Sequence, residues 1–347
     1  IPRYRVDVTR PADVIEEILR IYGYNNIKIS SSLQSNLPTY ISINQHQIGE
    51  RVSNQLVDLG FNEIINNSIT SPQYNELTPD LQALKAVNII NPLGQELSQM
   101  RISILPSLME VVKFNINRQL KNLKLFELGK TYEKFNRSFK ESKSFSLCLT
   151  GDVFNENWNV DNQPGGFFYF KGVINKVLKK NTLFKWEEKN TNLDIFSEGL
   201  SYFLNDQPLI EFGFIKKQIL KTFDIDQEVL YAEIDFNAFS EVAKKNHIEF
   251  QKIPKFPLSR RDFALLIDTS VQFDSIKEIA FKTEKNILHT VELFDVYQGK
   301  NLPKDKKSYG VSFYFQDQRK TLTDKYIDKI MGKLQKQFES KLGAFLR

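Results

Sequence analysis

Apolar side chains recur at helical spacing near the start of the chain, and this pattern predicts a helix over residues 9–22. Gly23 follows directly, at the position where a helix commonly ends in a left-handed residue. Serine and asparagine are frequent in residues 28–39, which predicts a polar linker after the helix.

Residues 40–245 mix helical periodicity with short alternating runs. The predicted helices cover residues 43–59, 104–120 and 169–180, and the predicted strands cover residues 63–69, 86–90, 123–128, 144–150, 199–204 and 208–215. Several of these strands follow one another closely without an intervening helix. We therefore predict an antiparallel α+β sheet rather than a series of βαβ units.

Residues 254–347 have the clearest pattern. The predicted strands are residues 262–268, 290–297, 307–316 and 344–347, and the predicted helices are residues 274–286 and 324–342. The order β-α-β-β-α-β is that of the ferredoxin-like fold. Such a fold places two helices on one face of an antiparallel sheet and leaves the other face free for a ligand.

The positive charge of the chain is concentrated in the same segment. The whole chain carries a net charge of +5, whereas residues 254–347 contain 18 Lys or Arg against 12 Asp or Glu. The segment therefore has a net charge of +6, and the rest of the chain has −1. A local excess of this kind favours contact with a polyanion such as RNA, although solubilising surface lysines give the same count.

Composition excludes several classes of protein. The single cysteine, Cys148, cannot form an internal disulfide or a thiolate zinc cluster, and three scattered histidines give little support for a histidine metal site. The sequence lacks a P-loop, a dinucleotide glycine motif and a Gly-x-Ser-x-Gly turn. No apolar run approaches the roughly 20 residues that span a bilayer. We expect a cytoplasmic protein with no membrane association.

Four carboxylates near the start form a first candidate site. Asp13, Glu16 and Glu17 lie three and four residues apart, so they share one face of the predicted helix. Asp7 precedes the helix and can fold back over its start. Oxygen ligands of this kind suit Mg²⁺. The alternative is that the acids stabilise the positive end of the helix and pair with basic neighbours.

Basic residues beside aromatic ones form a second candidate site. The candidate RNA-binding residues are Lys255, Arg260, Arg261, Lys306, Lys307, Arg319 and Lys320. Aromatic side chains alternate along the third strand of the segment, with Tyr309, Phe313 and Phe315 on one face and Tyr314 on the other. Cations beside aromatic rings suit single-stranded RNA. We expect most of these rings to pack beneath the two helices.

Specific segments resemble the β subunit of bacterial phenylalanyl-tRNA synthetase. Residues 4–24 (YRVDVTRPADVIEEILRIYGY) resemble the end of its B5 domain. Residues 101–108 (RISILPSL), 115–118 (NINR) and 125–129 (LFELG) resemble its synthetase-like core. Residues 259–264 (SRRDFA), 291–297 (VELFDVY), 315–317 (FQD) and 321–324 (TLTD) resemble its ferredoxin-like anticodon-binding domain. The match runs through the chain in the order of the family.

The resemblance implies three domains. Residues 1–29 would be the C-terminal part of a B5 domain, residues 30–245 a class II synthetase-like core without catalytic motifs, and residues 254–347 the anticodon-binding domain. The resemblance also implies that Asp7, Asp13, Glu16 and Glu17 bind Mg²⁺ at the contact with the α subunit. The strand at residues 125–128 lacks the Arg-x-Glu of class II catalysis, and residues 211–217 lack the glycine-rich arginine motif and depart from the pattern of the family, so we assign no catalytic residue.

The implied function is the non-catalytic C-terminal half of the β subunit in an α₂β₂ heterotetramer. The α subunit would carry out the ATP-dependent attachment of phenylalanine to tRNA(Phe), and ATP would not bind to this chain. A stand-alone RNA-binding module is the main alternative. A Mg²⁺-dependent phosphotransfer enzyme that uses the acidic cluster is a second alternative.

Overall fold

The computed structural model describes residues 1–29, 44–136, 138–154, 157–159, 161–204, 206–245, 250, 252–299 and 302–346. Most of the predicted polar linker, residues 30–39, therefore lies outside the described residues. The chain divides into a larger unit, Ile1–Ile248, and a smaller unit, Glu249–Arg347. No helix in the described ranges combines the length and the apolar character needed to cross a membrane.

The larger unit contains helices and strands in mixed order. Its helices are α1 (Pro11–Tyr22), α2 (Gln45–Asp58), α3 (Pro79–Ala83), α4 (Leu105–Ile116), α5 (Phe167–Lys180), α6 (Lys217–Thr222) and α7 (Phe236–Lys245). Its strands are β1 (Asn62–Glu63), β2 (Ile69–Thr70), β3 (Gln99–Met100), β4 (Leu123–Phe135), β5 (Ser138–Thr150), β6 (Glu187–Asn190), β7 (Phe196–Leu204), β8 (Gln207–Ile215) and β9 (Val229–Asp235).

The principal sheet of the larger unit has seven strands in the order β1-β4-β5-β9-β8-β7-β6. The short strand β1 pairs with β4 in parallel, and every other pair in this sheet is antiparallel. The predicted antiparallel α+β arrangement is therefore confirmed for the described part of the chain.

One face of the principal sheet is covered by α2, α5 and α7. Phe126, Phe145 and Phe212 point from the strands into this core and are fully buried, as is Phe170 of α5. Helix α2 starts at Asn44, which forms a capping box with Gln47 through reciprocal hydrogen bonds of 2.8 and 3.1 Å. The buried apolar residues of α2, α5 and α7 pack on the strands in this core.

The opposite face of the principal sheet is apolar at one end and polar in the middle. Leu125, Cys148 and Tyr231 are buried there together with residues of α4 and α6. Next to them, the strand register aligns polar residues directly across neighbouring strands. This polar row consists of Glu127, Ser146, Glu233, Glu211 and Ser201.

Several sequence predictions were wrong in this unit. Residues 63–69 form no continuous strand, and residues 86–90 form only an isolated bridge between Asn88 and Gln99. The central strand β9 was not predicted. Most of β9 is buried on both faces, so its sequence lacks the apolar–polar alternation by which a half-buried strand is recognised.

The smaller unit has the predicted ferredoxin-like order. Its elements are β10 (Ser259–Asp268), α8 (Phe273–Thr283), β11 (Leu288–Tyr297), β12 (Lys306–Phe315), α9 (Asp324–Leu342) and β13 (Phe345–Leu346). The sheet order is β11-β12-β10-β13, and the pairs are antiparallel. Gly343 ends α9 with a left-handed φ of 58°.

The core of the smaller unit lies between one sheet face and the two helices. Tyr309, Val311, Phe313 and Phe315 of β12 are buried there, and Phe313 packs against Phe338 of α9 with ring centroids 5.9 Å apart. The expectation that most aromatic side chains of this strand form core is confirmed. The other sheet face, which we call the open face, carries no helix of the smaller unit among its described residues.

Candidate functional site

Asp13 closes the N-terminus of α1. Its Oδ2 accepts hydrogen bonds from the backbone N–H of Arg10 at 2.8 Å and of Thr9 at 3.0 Å. The Arg10 guanidinium donates to Oδ1 at 3.1 Å. These hydrogen bonds stabilise the ionised carboxylate and lower the pKa of Asp13, and the bond from the backbone N–H of Arg10 has the largest effect. Asp13 therefore acts as a helix cap.

Arg5 lies between the carboxylates of Asp7 and Glu17. Its guanidinium donates two hydrogen bonds to Asp7, at 3.0 and 2.9 Å, and one to Glu17 at 2.6 Å. The hydrogen bond from Arg5 is the main cause that lowers the pKa of Asp7 and of Glu17. Glu16 pairs with Arg20 at 3.0 Å. Each acid of the predicted metal site thus has an arginine partner.

These carboxylates do not fit a metal ion in this arrangement. The guanidinium of Arg5 already supplies positive charge to two of them, and Asp13 is bonded to backbone N–H groups. Within the described ranges, no group of three or more His, Cys, Asp or Glu side chains is placed to hold a metal. Mg²⁺ binding here remains a prediction from the resemblance alone.

A buried ion pair joins Arg101 to Glu127 at one end of the polar row. Nη1 of Arg101 lies 2.7 Å from Oε1 of Glu127, and each side chain is only 3% exposed. Nε of Arg101 also donates to the carbonyl of Lys130 at 2.9 Å, and Asn66 donates to Glu127 at 2.8 Å. A Cβ on Gly129 would lie 2.3 Å from Nη2 of Arg101, so glycine makes room for the guanidinium.

Carboxylates continue along the polar row, and the described residues include no basic side chain paired with them. Glu211 and Glu233 are direct neighbours across β8 and β9. The Tyr231 hydroxyl donates to Glu233 at 3.1 Å, and the Ser201 hydroxyl donates to Glu211 at 2.9 Å. Burial is the main cause that raises the pKa of Glu233. The hydroxyl partners of these carboxylates carry no positive charge, so the negative charge of the face would repel a phosphate group.

The structure corrects the expectation for Lys307. Its side chain is buried, its Nζ donates to the carbonyl of Thr269 at 2.8 Å, and it lies 4.6 Å from the centre of the Tyr309 ring. It is not on the surface because β12 places it on the core side. Lys306 pairs with Asp268 at 2.9 Å. Both candidate residues at this end of the sheet are therefore engaged within the protein.

The two neighbouring arginines of β10 also have acidic partners. Arg261 pairs with Asp324 and lies 3.7 Å from Asp328, both on α9. Arg260 pairs with Asp262 at 2.8 Å on the open face. Arg260 remains exposed at the surface, whereas Arg261 is half-buried. Of the two, Arg260 is the better placed for a ligand.

Three candidate cations, Lys255, Arg319 and Lys320, are exposed at one end of the sheet. The side chain of Gln316 donates to the carbonyl of Phe256 at 2.8 Å, which brings the loop after β12 beside the segment before β10. Lys320 lies 5.8 Å from the ring of Tyr326. These three residues and the Lys306 pair are at opposite ends of the sheet.

The strand register gives the separation of these ends. Ser259 pairs with Phe315 at one end, and Asp268 pairs with Lys306 at the other. At about 3.3 Å per residue, the ends are roughly 30 Å apart. The candidate cations therefore do not form one cluster, which the linear sequence could not reveal.

Phe294 on the open face was not recognised from the sequence, whereas Tyr314 was placed on the other face of its strand. The Arg260 guanidinium lies 5.3 Å from the ring centre of Phe294 and 5.9 Å from that of Tyr314. A Cβ on Gly310 would lie 2.8 Å from the Phe294 ring, so this glycine lets the ring lie against the strand. Phe294 was missed because a bulge in β11, between residues 293 and 295, breaks the period of two.

Small residues form the floor of the open face between these rings. Ala264 is exposed there, whereas Gly310, Ser308 and Ser312 are buried. Tyr297 lies opposite Ser308 in the register. The exposed Phe294 ring and the exposed Arg260 guanidinium beside it suit the stacking of planar bases. The open face is therefore the best candidate surface for a nucleic acid in the smaller unit.

The fold and these surfaces define an α+β protein of two units, the smaller of which is a ferredoxin-like domain. Family models match three segments of the chain. They are the tRNA synthetase B5 domain over residues 1–24, the phenylalanyl tRNA synthetase beta chain CLM domain over residues 33–236, and the ferredoxin-fold anticodon binding domain over residues 254–347. The chain belongs to the phenylalanyl-tRNA synthetase β-chain family.

Curated relatives match the chain along its whole length. Proteins named phenylalanine–tRNA ligase beta subunit are 41% identical in Bacteroides thetaiotaomicron, 37% in Porphyromonas gingivalis and 32% in Clostridium acetobutylicum. Each match covers 100% of this chain but only 43–44% of the relative. The chain thus spans less than half the length of the relatives that it matches.

Among solved structures, the pyrrolysyl-tRNA synthetase from Desulfitobacterium hafniense gives a TM-score of 0.46 at 12% identity. That match covers 57% of this chain and 68% of the other.

Proposed function

We propose that this chain is a non-catalytic portion of a phenylalanyl-tRNA synthetase β subunit that positions tRNA for a catalytic α subunit. Family membership and the names of the relatives support this assignment. The complex would attach phenylalanine to tRNA with ATP in the cytoplasm, as an α₂β₂ heterotetramer. A stand-alone RNA-binding module remains the alternative.

The open face of the smaller unit is the proposed site for RNA bases. Phe294 is 57% exposed, and Arg260 lies over both Phe294 and Tyr314. Each base that stacks on an aromatic side chain contributes about 1–3 kcal/mol to binding. The single observation that carries the proposal is the exposed Phe294 ring beside the exposed Arg260 guanidinium, on a face that no described helix of the smaller unit covers. Lys255, Arg319 and Lys320 would contact phosphates at the adjoining end of the sheet.

The polar row of the larger unit supports the assignment of catalysis to another chain. An ATP site needs a cation for the phosphates, but Arg101 is buried and engaged by Glu127 and by the carbonyl of Lys130. Glu211 and Glu233 add negative charge to the same face. We therefore assign ATP to the α subunit and no catalytic residue to this chain.

Magnesium at the α subunit is a further part of the proposal. Binding to Asp7, Asp13, Glu16 and Glu17 would require Arg5 to release Asp7 and Glu17. Mg²⁺ binding is therefore to be measured on the assembled complex of the β and α subunits.

Reconstitution tests the proposed function. Full-length β subunit, with and without residues 254–347, is combined with the α subunit and assayed for tRNA aminoacylation. We expect both forms to co-purify with α, and the truncated form to lose tRNA affinity in proportion to its loss of activity. Failure of the full-length β subunit to co-purify with α would favour the stand-alone RNA-binding module.

A further inference from the structure

Helix α9 carries a row of lysines on its outer surface. Lys325, Lys329, Lys333 and Lys336 are all exposed. At 3.6 residues per turn, they lie within about 80° of one another around the helix axis and extend over roughly 16 Å. Buried residues such as Leu334 occupy the opposite side of the helix. We call these four residues the lysine face.

The acids of α9 do not neutralise the lysine face. Asp324 and Asp328 point to Arg261 of β10 and pair with it, and Glu339 accepts a hydrogen bond from Gln335. Among the described residues, none of the four lysine ammonium groups forms an ion pair, although ion pairs are present elsewhere in the smaller unit. The positive charge of the face is therefore uncompensated.

The lysine face is continuous with exposed cations at the start of α9. Arg319 and Lys320 lie in the loop that leads into the helix, and Lys320 contacts the ring of Tyr326 in its first turn. Lys255 lies at the same end of the sheet, because Gln316 bonds to Phe256. The continuous surface faces away from the open face, since α8 and α9 pack on the other side of the sheet.

We propose that the lysine face of α9 binds the sugar–phosphate backbone of RNA, at a segment distinct from the bases on the open face. This inference rests on the proposed RNA-binding function and adds a second surface to it. Lysine presents a compact charge that suits phosphate oxygens without reading sequence. An acidic protein partner fits less well, because stable protein interfaces need apolar anchors and the stripe itself consists of lysines.

Salt-dependent binding tests the lysine face. The variant K325Q/K329Q/K333Q/K336Q and the unchanged chain are titrated with tRNA at several KCl concentrations, with fluorescence anisotropy as the readout. Each phosphate contact contributes roughly 0.7–0.9 to the slope of log K against log salt. We expect the slope to fall by about 3 and the affinity at low salt to fall tenfold or more.

The matched control removes four lysines from the larger unit. Lys176, Lys179, Lys180 and Lys221 are exposed and free of ion pairs among the described residues. Their replacement by glutamine changes the net charge by the same amount, and we expect a smaller change in slope. Circular dichroism checks that each variant is folded, which is expected because all eight side chains are exposed.

The outcomes separate this inference from the proposed function. Unchanged affinity and slope in the α9 variant, together with weaker binding in F294A, would overturn only the lysine face. Equal losses in the α9 variant and in the control variant would also overturn it. Absence of tRNA binding by the unchanged chain would overturn the proposed function as well. Stronger displacement of tRNA by poly-glutamate than by an unrelated RNA would assign the face to an acidic protein.

Discussion

The two units each contain a sheet with one face covered by helices, but their second faces differ. In the larger unit, Arg101 and Glu127 are buried and bonded to each other. In the smaller unit, Arg260 is exposed over two aromatic rings and pairs with Asp262 at the surface. The first face holds its charged pair in the interior, and the second presents its charged pair at the surface.

The difference shows why residue type alone does not identify a binding site. An arginine beside carboxylates is present on both faces, yet only the exposed one can exchange its partners at small cost. Breaking a buried ion pair costs several kcal/mol, whereas an exposed pair contributes about 1 kcal/mol or less. Burial therefore decides whether a charge serves stability or binding.

The largest expected effect concerns the buried ion pair. Glu127→Gln leaves the Arg101 guanidinium buried without an anion, so we expect a loss of about 3–5 kcal/mol in the free energy of unfolding. Both tryptophans of the chain, Trp158 and Trp186, belong to the larger unit, so their fluorescence during urea denaturation reports this unit alone.

An exposed pair on the same sheet provides the control for Glu127→Gln. Glu141 lies 2.6 Å from Lys130, and both side chains are about half exposed. We expect Glu141→Gln to change the stability by about 0.5 kcal/mol or less. Equal effects of the two substitutions would contradict the assigned role of burial.

Gly129→Ala is expected to disturb the same ion pair through sterics. The new Cβ would meet a guanidinium that Glu127 and a backbone carbonyl hold in place. We expect a loss of about 1–3 kcal/mol in the same urea experiment. Gly172→Ala is the control, because nothing lies within 4 Å of a Cβ there and alanine favours the interior of α5. A stable Gly129→Ala variant would show that the guanidinium is free to move.

Phe294→Ala tests the open face. Loss of one stacked base should weaken tRNA binding by about 1–3 kcal/mol and leave the salt dependence nearly unchanged. Phe168→Ala in the larger unit removes a ring that is 85% exposed and serves as the control. Anisotropy titrations measure the tRNA affinity of both variants. An equal loss of affinity in the two would contradict base stacking on the open face.

The smallest expected effect concerns Glu233. Burial raises its pKa in the folded chain above the ordinary value of 4.5, so its ionisation opposes folding. Its contribution to stability is complete below pH 4.5 and is lost as the pH rises through the folded pKa. We expect Glu233→Gln to be more stable than the unchanged chain at pH 8 but equal to it at pH 4. Urea denaturation at both pH values measures this, and an equal difference at both would contradict the burial of the charge.

The sequence predicted the ferredoxin-like order well, because its strands and helices are amphipathic and separated by clear turns. It did not predict β9, since a strand buried on both faces lacks alternation. For the candidate site, the structure places Arg260, Lys255, Arg319 and Lys320 on the surface, and their contact with RNA stays a prediction. Lys307 is not on the surface, because its strand turns it into the core.

Tertiary contacts account for what the sequence could not supply. The partners of Arg261 are 63 and 67 positions away on α9, and the bulge that exposes Phe294 depends on pairing with β12. Arg5 likewise joins Asp7 to Glu17, which a pattern of carboxylates alone does not reveal.

Crosslinking tests the central comparison most directly. tRNA is crosslinked to the chain by ultraviolet light, and the modified peptides are located by mass spectrometry. We predict crosslinks at Phe294 and Tyr314 on the open face. Crosslinks confined to the polar row around Glu127 and Glu233, with none on the open face, would contradict the account.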